Sequence, residues 1–148
     1  MNDQLVEDRR GDLILSTDRA RIDVDATLAM LHASHWGGTM RRDQLERAIE
    51  NSVCFSVIDL ATNNRQLAFA RVVTDLTTYA YLTDVIVAED ARGRGLGSWM
   101  VGTIVAHPDF QELRRMTLLT RDAQGLYERF GFSTDMPKSV YMELRPHP

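Results

Sequence analysis

The residues best suited to bind a ligand follow an apolar, β-branched stretch, Val85-Ile86-Val87. After it come Arg92, Gly93, Arg94, Gly95, Leu96, Gly97 and Ser98, and then an amphipathic segment. That order predicts a strand, a glycine turn and the first turn of a helix. Glycine lets backbone N–H groups approach a ligand, and a helix N-terminus carries partial positive charge. The segment therefore predicts a site for a ligand that bears phosphate.

The spacing of these residues separates three kinds of phosphate-binding glycine turn. A P-loop needs a lysine after its last glycine, and the single lysine of the chain, Lys138, lies far away. A dinucleotide fingerprint needs Gly-x-Gly-x-x-Gly within a parallel sheet, whereas the strands predicted before this turn form an antiparallel meander. The third pattern, Arg/Gln-x-x-Gly-x-Gly/Ala, is satisfied by Arg92, Gly95 and Gly97.

The elements that position this turn follow from hydrophobic periodicity. Strands are predicted at 13–16, 53–60, 66–75, 78–88 and 116–120, with a last strand or strand pair in 132–144. Helices are predicted at 24–35, at 41–51, from Leu96 to before His107-Pro108, and at 123–130. Asp23 is the expected N-cap of the first helix, Asp122 that of the last, and Gly131 its C-terminal cap.

Two segments make the sequence similar to the GCN5-related N-acetyltransferase (GNAT) family. One is the Arg92–Gly97 turn, and the other is Ala123–Phe132, a helix with a tyrosine followed by Gly-Phe. The element order from Leu13 to Leu144 also fits, so the resemblance covers nearly the whole chain. It implies one α/β (α+β) domain, residues 1–148, with a mixed, mostly antiparallel central sheet of six to seven strands and about four flanking helices.

The resemblance implies acetyl-CoA as the donor. Its pyrophosphate would lie on the backbone N–H groups of Gly93 through Ser98, with Arg92 and Arg94 pairing to phosphates or remaining solvated at the surface. The pantetheine arm would bind along the edge of the strand that ends with Val85, Ile86 and Val87. A backbone N–H near Ile86 or Val87 would hold the developing oxyanion.

The resemblance also assigns roles near the sulfur of the donor. Tyr127 matches the family tyrosine that donates a proton to this sulfur, and its alternative is a core residue on an apolar helical face. Thr120 stands where the family often has an asparagine that reaches the pantetheine. Phe130, with Leu126, packs in the core or lines the pantetheine.

A base for the acceptor amine is harder to assign. Strand alternation predicts that side chains along this strand point to two opposite faces. One face carries Tyr79, Tyr81, Thr83, Val85 and Val87, and the other carries Leu82, Asp84 and Ile86. Family members often carry the base at positions matching Tyr81 or Thr83, and neither residue is a good base at neutral pH. Asp84 orients water or substrate, or it is a buried carboxylate paired with Arg71.

The acceptor pocket is expected between the segment 35–39 and the last strands. Trp36, Tyr81 and Thr83 are the candidate substrate-binding residues, although Trp36 serves equally well as a core anchor. His32 and His35 are spaced for a metal, but no third ligand accompanies them, and we expect no metal.

Composition limits the remaining classes. A net charge of −4 argues against nucleic acid as a partner, and no apolar run is long enough for a membrane helix or a signal segment. The single cysteine, Cys54, is expected as a buried thiol, which fits a reducing cytoplasm. Homodimers are common in the family, and no sequence feature establishes one here.

We therefore expect an N-acetyltransferase that moves an acetyl group directly from acetyl-CoA to an amine, with a small molecule favoured as acceptor. Two alternatives stay open. One is a CoA-binding module or sensor of the same fold that has lost catalysis, which the weak set of bases favours. The other is a nucleotide-binding domain with different chemistry.

Overall fold

The structure is a computed structural model that describes residues 1–34, 37–135 and 140–146. One sheet carries six strands in chain order: β1 Glu7–Arg10, β2 Leu13–Ser16, β3 Val53–Asp59, β4 Arg65–Thr74, β5 Tyr79–Val87 and β6 Arg115–Leu118. All neighbours are antiparallel except β5 and β6, which are parallel. Four helices are described: α1 Val24–Ala33, α2 Arg42–Glu50, α3 Leu96–Val105 and α4 Gln124–Glu128. The predicted fold class is confirmed.

Helices cover both faces of the sheet. On one, the α3 face, α3 and α4 pack against a large core that includes Phe55, Ala70 and Leu82. On the other, the α1 face, α1 and α2 pack against a smaller core that includes Phe69 and Ile86. The loop after β5 leads into α3, so the glycine turn lies at the end of a central strand.

A β-bulge interrupts the pairing of β4 with β5. Phe69 lies opposite Ile86 and Arg71 opposite Thr83, so the single residue Ala70 faces two residues of β5, Asp84 and Val85. Asp84 accommodates the extra residue with a left-handed backbone, φ 54°. Such a bulge bends its strand and changes which side chains share a face.

The bulge overturns the predicted alternation along β5. Ala80 and Leu82 before it, and Val85 and Val87 after it, all pack on the α3 face. Tyr79, Tyr81 and Thr83 lie on the α1 face, as do Asp84 and Ile86. The prediction that Val85 and Val87 share a face with the two tyrosines is therefore wrong, because the inserted residue reverses the alternation.

Both ends of the chain differ from the predicted elements. The first strand is β1, which precedes the predicted strand at 13–16 and consists of exposed residues along Glu7–Arg10. No strand occurs within the described parts of the predicted last strand, 132–135 and 140–144. The predicted N-cap of α1 is confirmed, because the Asp23 side chain accepts a hydrogen bond from the Ala26 N–H at the start of that helix. Among the described residues, no helix has the length and hydrophobicity to cross a bilayer.

Candidate active site

The glycine turn leaves the first N–H groups of α3 without an acceptor. Gly93 and Gly95 adopt left-handed backbones, φ 80° and 76°, which glycine tolerates without a steric penalty. Gly95 is the N-cap of α3, and no side chain caps the helix there. Because no described residue accepts from the N–H groups of residues 96–98, these donors are available to an anion.

Cationic side chains adjoin this helix start. Arg92 and Arg94 are exposed, and neither forms an ion pair with a described residue. The nearby carboxylate of Asp90 is already held by Arg65, whose two terminal nitrogens donate to it at 2.8 and 2.6 Å. Two arginines beside free N–H donors form an electropositive turn suited to phosphate groups.

The edge of β5 next to this turn has an unpaired stretch. β6 pairs with β5 from Tyr79 to Leu82, and no described strand pairs with the same edge from Thr83 to Val87. On the other edge, the Ala88 N–H donates to the Leu67 carbonyl at 2.8 Å. Antiparallel pairing alternates, so the Ile86 peptide groups face β4, whereas the Val87 N–H and C=O point to the open edge. An extended, amide-bearing ligand has hydrogen-bonding groups to bind there.

Tyr127 lies on the α3 face, inside the main core. Its side chain is buried, and its ring contacts Phe132 edge to face, with centroids 5.9 Å apart. Burial raises the pKa of the Tyr127 phenol above its ordinary value. No described residue hydrogen-bonds to the hydroxyl, which therefore remains a protonated donor at neutral pH.

Gly131 fixes the orientation of the chain after α4. Its backbone is left-handed, φ 96°, and its N–H donates to the Glu128 carbonyl at 3.1 Å. The Phe132 N–H donates to the Tyr127 carbonyl at 3.3 Å, which completes a Schellman motif. The predicted C-terminal cap is confirmed, and it explains the contact of the Phe132 ring with Tyr127.

Asp84 is ion-paired with Arg71 at the bulge. Arg71 Nε donates to Asp84 Oδ2 at 2.8 Å, and Arg71 Nη1 donates to Ser52 Oγ at 3.2 Å. Only 14% of the Arg71 side chain and 8% of the Asp84 side chain are exposed. Of the two alternatives for Asp84, the ion pair is present. Asp84 belongs to the unpaired stretch of β5, while its carboxylate is held by Arg71 of β4.

Residues around the start of α4 differ in part from their predicted roles. Thr120 Oγ1 accepts from the Ala123 N–H at 3.1 Å, while Asp122 is exposed and caps nothing. The prediction that Asp122 caps this helix is therefore wrong, because the N-cap position is Ala123 and no side chain caps it. Phe130 packs against α3, where a Cβ placed on Gly102 would lie 3.2 Å from its ring.

The predicted acceptor segment is described only in part. Trp36 and His35 lie outside the described residues. Gly37 and Thr39 line a shallow cavity of about 390 Å³ with Met40 and two residues of α2, and neither Asp84 nor Tyr127 borders it.

His32 Nε2 contacts the Met40 carbonyl oxygen at 2.6 Å. Among described residues, no group of three or more metal-ligating side chains occurs. Cys54 is buried, and desolvation raises its thiol pKa to about 12, which confirms the inert thiol.

Comparison with known proteins identifies this arrangement. The family model described as an acetyltransferase (GNAT) domain matches residues 51–134, which contain the open edge of β5, the glycine turn and Tyr127. The chain belongs to the GNAT acetyltransferase family. A Gibberella zeae protein with a provisional acetyltransferase designation is 32% identical over 136 residues, covering 80% of this chain and 77% of its own length.

Solved structures of GNAT proteins share the fold. A structure from Xanthomonas campestris pv. campestris, described as a provisional GNAT acetyltransferase, is 38% identical with a TM-score of 0.78 and covers 86% of this chain and 93% of its own. Glucosamine-6-phosphate N-acetyltransferase from Arabidopsis thaliana is 17% identical with a TM-score of 0.64, covering 90% of this chain and 97% of its own. The second likeness concerns the fold alone.

Within this GNAT domain, the two candidate catalytic groups lie on opposite faces of the sheet. Tyr127 belongs to the α3 face and Asp84 to the α1 face, and the open edge of β5 runs between them. Sequence reasoning missed the link from Arg71 to Ser52; a bulge in this strand is implied by the resemblance to the GNAT family, but the sequence itself does not show it. The one signal for the bulge was an aspartate in mid-strand, since Asp tolerates a left-handed backbone better than most residues.

Proposed function

We propose that this GNAT protein is an acetyl-CoA-dependent N-acetyltransferase acting on a small amine. The observation that carries the proposal is the unpaired edge of β5 from Thr83 to Val87, which leads directly to the uncapped N-terminus of α3. A peptide-like arm that ends in a pyrophosphate matches this order of hydrogen-bonding groups, first the strand edge and then the helix N-terminus. Edge pairing suits the amides of pantetheine, and the helix N-terminus suits the phosphates.

The donor-binding residues follow from this placement. The backbone N–H groups of residues 93–98 bind the pyrophosphate, and Arg92 and Arg94 pair with its charge. Val85 and Val87 offer backbone groups to the pantetheine, with Ile86 packed behind them on the α1 face. Thr120 and Phe130 complete the donor site from the start and the end of α4.

The chemistry is direct transfer. The neutral amine attacks the thioester carbonyl, a C–N bond forms and the C–S bond breaks. The Val87 N–H, directed to the open edge, stabilises the oxyanion, and Tyr127 gives its proton to the departing thiolate. The proton lost by the ammonium passes to water held by Asp84. Tyr127 and Asp84 lie on opposite faces of the sheet, so the proton donor and the proton acceptor do not exchange a proton directly.

A titration and one substitution test the proposal. Calorimetry should show acetyl-CoA binding more tightly than ATP or NAD, and tighter binding of either nucleotide rejects it. Tyr127→Phe should lower kcat by about 10²-fold or more, within the range for general acid catalysis, while the acetyl-CoA Kd stays the same. An unchanged kcat excludes Tyr127 as the acid.

A second function is favoured by one observation. Asp84, the only carboxylate within β5, is engaged by Arg71, which leaves the α1 face without a free base among the described residues of that strand. A CoA-binding sensor needs no base. Acetyl-CoA binding without release of free thiol in the presence of a broad set of amines would establish that function.

A further inference from the structure

The two ends of the α1 face differ in exposure among the described residues. Beneath α1 and α2 the sheet is buried, with Phe69 fully covered and Ile86 6% exposed. Toward the other end, Val73 is 42% exposed and Tyr79 41% exposed. Large apolar and aromatic side chains at this exposure form a surface that a ligand can cover.

Four residues form this surface, which we name the tyrosine platform: Val73 of β4, Tyr79 and Tyr81 of β5, and Thr117 of β6. Val73 lies opposite Tyr81, and Tyr81 lies opposite Thr117. The Tyr79 hydroxyl hydrogen-bonds to Thr117 Oγ1, which fixes the outer ring over β6. The platform therefore spans three strands and carries two phenol rings, from residues two apart on the same face of β5.

A carboxylate lies at the inner end of the platform. Thr83 and Asp84 lie two and three residues after Tyr81 along β5, and two residues of strand cover about 7 Å. Asp84 is next to the unpaired edge proposed for the thioester. Arg115, the register partner of Tyr79, places a cation at the outer end, away from the reacting amine. An acceptor lying along β5 would thus have its amine near Asp84 and its body over Tyr81.

We propose that the tyrosine platform binds the aromatic ring of a primary arylalkylamine, an inference that rests on the proposed function. Phenol rings favour a flat aromatic partner over an aliphatic one, and they attract the cationic form of the incoming amine. Arg71 is not free to bind an acceptor's phosphate, because it is engaged by Asp84 and Ser52.

The test compares acceptors with acetyl-CoA held at saturation, by release of free thiol. We expect kcat/KM for 2-phenylethylamine to exceed that for 2-cyclohexylethylamine by about 3-fold or more, the value of one aromatic contact. The kcat/KM for 2-phenylethylamine should exceed the kcat/KM for glucosamine 6-phosphate and for a lysine-bearing peptide by a larger factor. Preference for the phosphorylated sugar or the peptide overturns the inference and leaves the proposed function intact.

Variants identify the platform as the cause. Tyr81→Ala should lower kcat/KM for 2-phenylethylamine about 3- to 10-fold through KM, and lower the value for methylamine by a smaller factor. Tyr81→Phe retains the ring and should retain the wild-type kcat/KM for 2-phenylethylamine. Leu5→Ala, at an exposed apolar residue outside the platform, should not alter this kcat/KM either. An equal loss for both amines contradicts the inference. If no amine is acetylated, but 2-phenylethylamine binds in calorimetry and Tyr81→Ala weakens that binding, the proposed function fails and the platform remains.

Discussion

Arg71 and Asp84 form an ion pair across the β-bulge, with Arg71 Nε 2.8 Å from Asp84 Oδ2. Both side chains are largely buried, and Asp84 holds a left-handed backbone that few residues accept. The ion pair therefore has two structural effects. It satisfies a buried carboxylate, and it secures the irregular segment of β5 from which the open edge begins.

Breaking this pair from one side should be costly. Arg71→Met leaves the Asp84 carboxylate buried without its cation, and we expect a loss of about 3–5 kcal/mol in the free energy of unfolding. Urea denaturation followed by circular dichroism measures the change.

Removing both charges supplies the control. Arg71→Met combined with Asp84→Asn keeps a residue that tolerates the left-handed backbone, and it leaves no charge unpaired. The double variant should recover a substantial part of the loss. If Arg71→Met alone costs less than about 1 kcal/mol, the pair behaves as an exposed salt bridge and its structural role is disproved.

Two glycines of the turn should respond differently to alanine. Gly95 is left-handed, φ 76°, so Gly95→Ala should destabilise the fold by about 1–2 kcal/mol. Gly97 lies inside α3, and a Cβ there would meet Leu126 Cδ2 at an ordinary 3.8 Å. Gly97→Ala should therefore be neutral or stabilising by about 0.5–1 kcal/mol. Thermal unfolding of the two variants gives the comparison, and equal losses would show that the backbone of Gly95 is not the cause.

Most of the helices and strands are predictable from the sequence because their signals are local. Apolar residues at helical spacing and the Asp23 cap give α1, and alternating runs bounded by turn residues give β3, β4 and β5. Asn63 and Asn64 mark the turn before β4, and both adopt the left-handed backbone for which asparagine is suited. The glycine turn is equally local, since Arg92, Gly95 and Gly97 lie within six residues of one another.

The features that sequence reasoning missed depend on contacts between distant residues. The bulge at Asp84 is set by pairing with β4, and a period-two pattern carries no sign of one extra residue. β1 has no apolar face along its four residues, so only its pairing to β2 defines it. The two-residue turn at Gly11-Asp12 was the available signal, because glycine at the first position is typical of a hairpin.

Asp75 should make the stability of the fold depend on pH. Its carboxylate accepts hydrogen bonds from the N–H groups of Thr77, Thr78 and Tyr79 and from the Thr78 hydroxyl. The Thr78 hydroxyl first, and then the backbone donors, hold the pKa of Asp75 well below its ordinary value. A lowered folded-state pKa stabilises the protein above the unfolded value of about 3.9, and that stability is lost as the pH falls toward the folded value.

Replacing Asp75 tests this linkage. Asp75→Ala should destabilise the protein at pH 7, and the difference from the wild type should shrink as the pH falls below about 4. Asp59→Ala provides a comparison, because Asp59 accepts a single backbone hydrogen bond, from the Ala61 N–H. Urea denaturation from pH 3 to pH 7 measures both variants. A difference that stays constant over that range contradicts the assigned hydrogen bonds.

Tyr127 should remain an active acid well into the alkaline range. An acid must be protonated to act, and burial raises the pKa of this phenol above the ordinary value of about 10. The kcat of the wild type should therefore show no alkaline fall caused by Tyr127 below about pH 10. A pH profile of kcat at saturating acetyl-CoA, taken for the wild type and for Tyr127→Phe, gives the measurement. If the wild type loses activity with an apparent pKa near 8 and Tyr127→Phe does not, the phenol titrates in a polar site and its place in the core is refuted. If both profiles share that fall, another group causes it, and the assignment of Tyr127 depends on the difference in kcat alone.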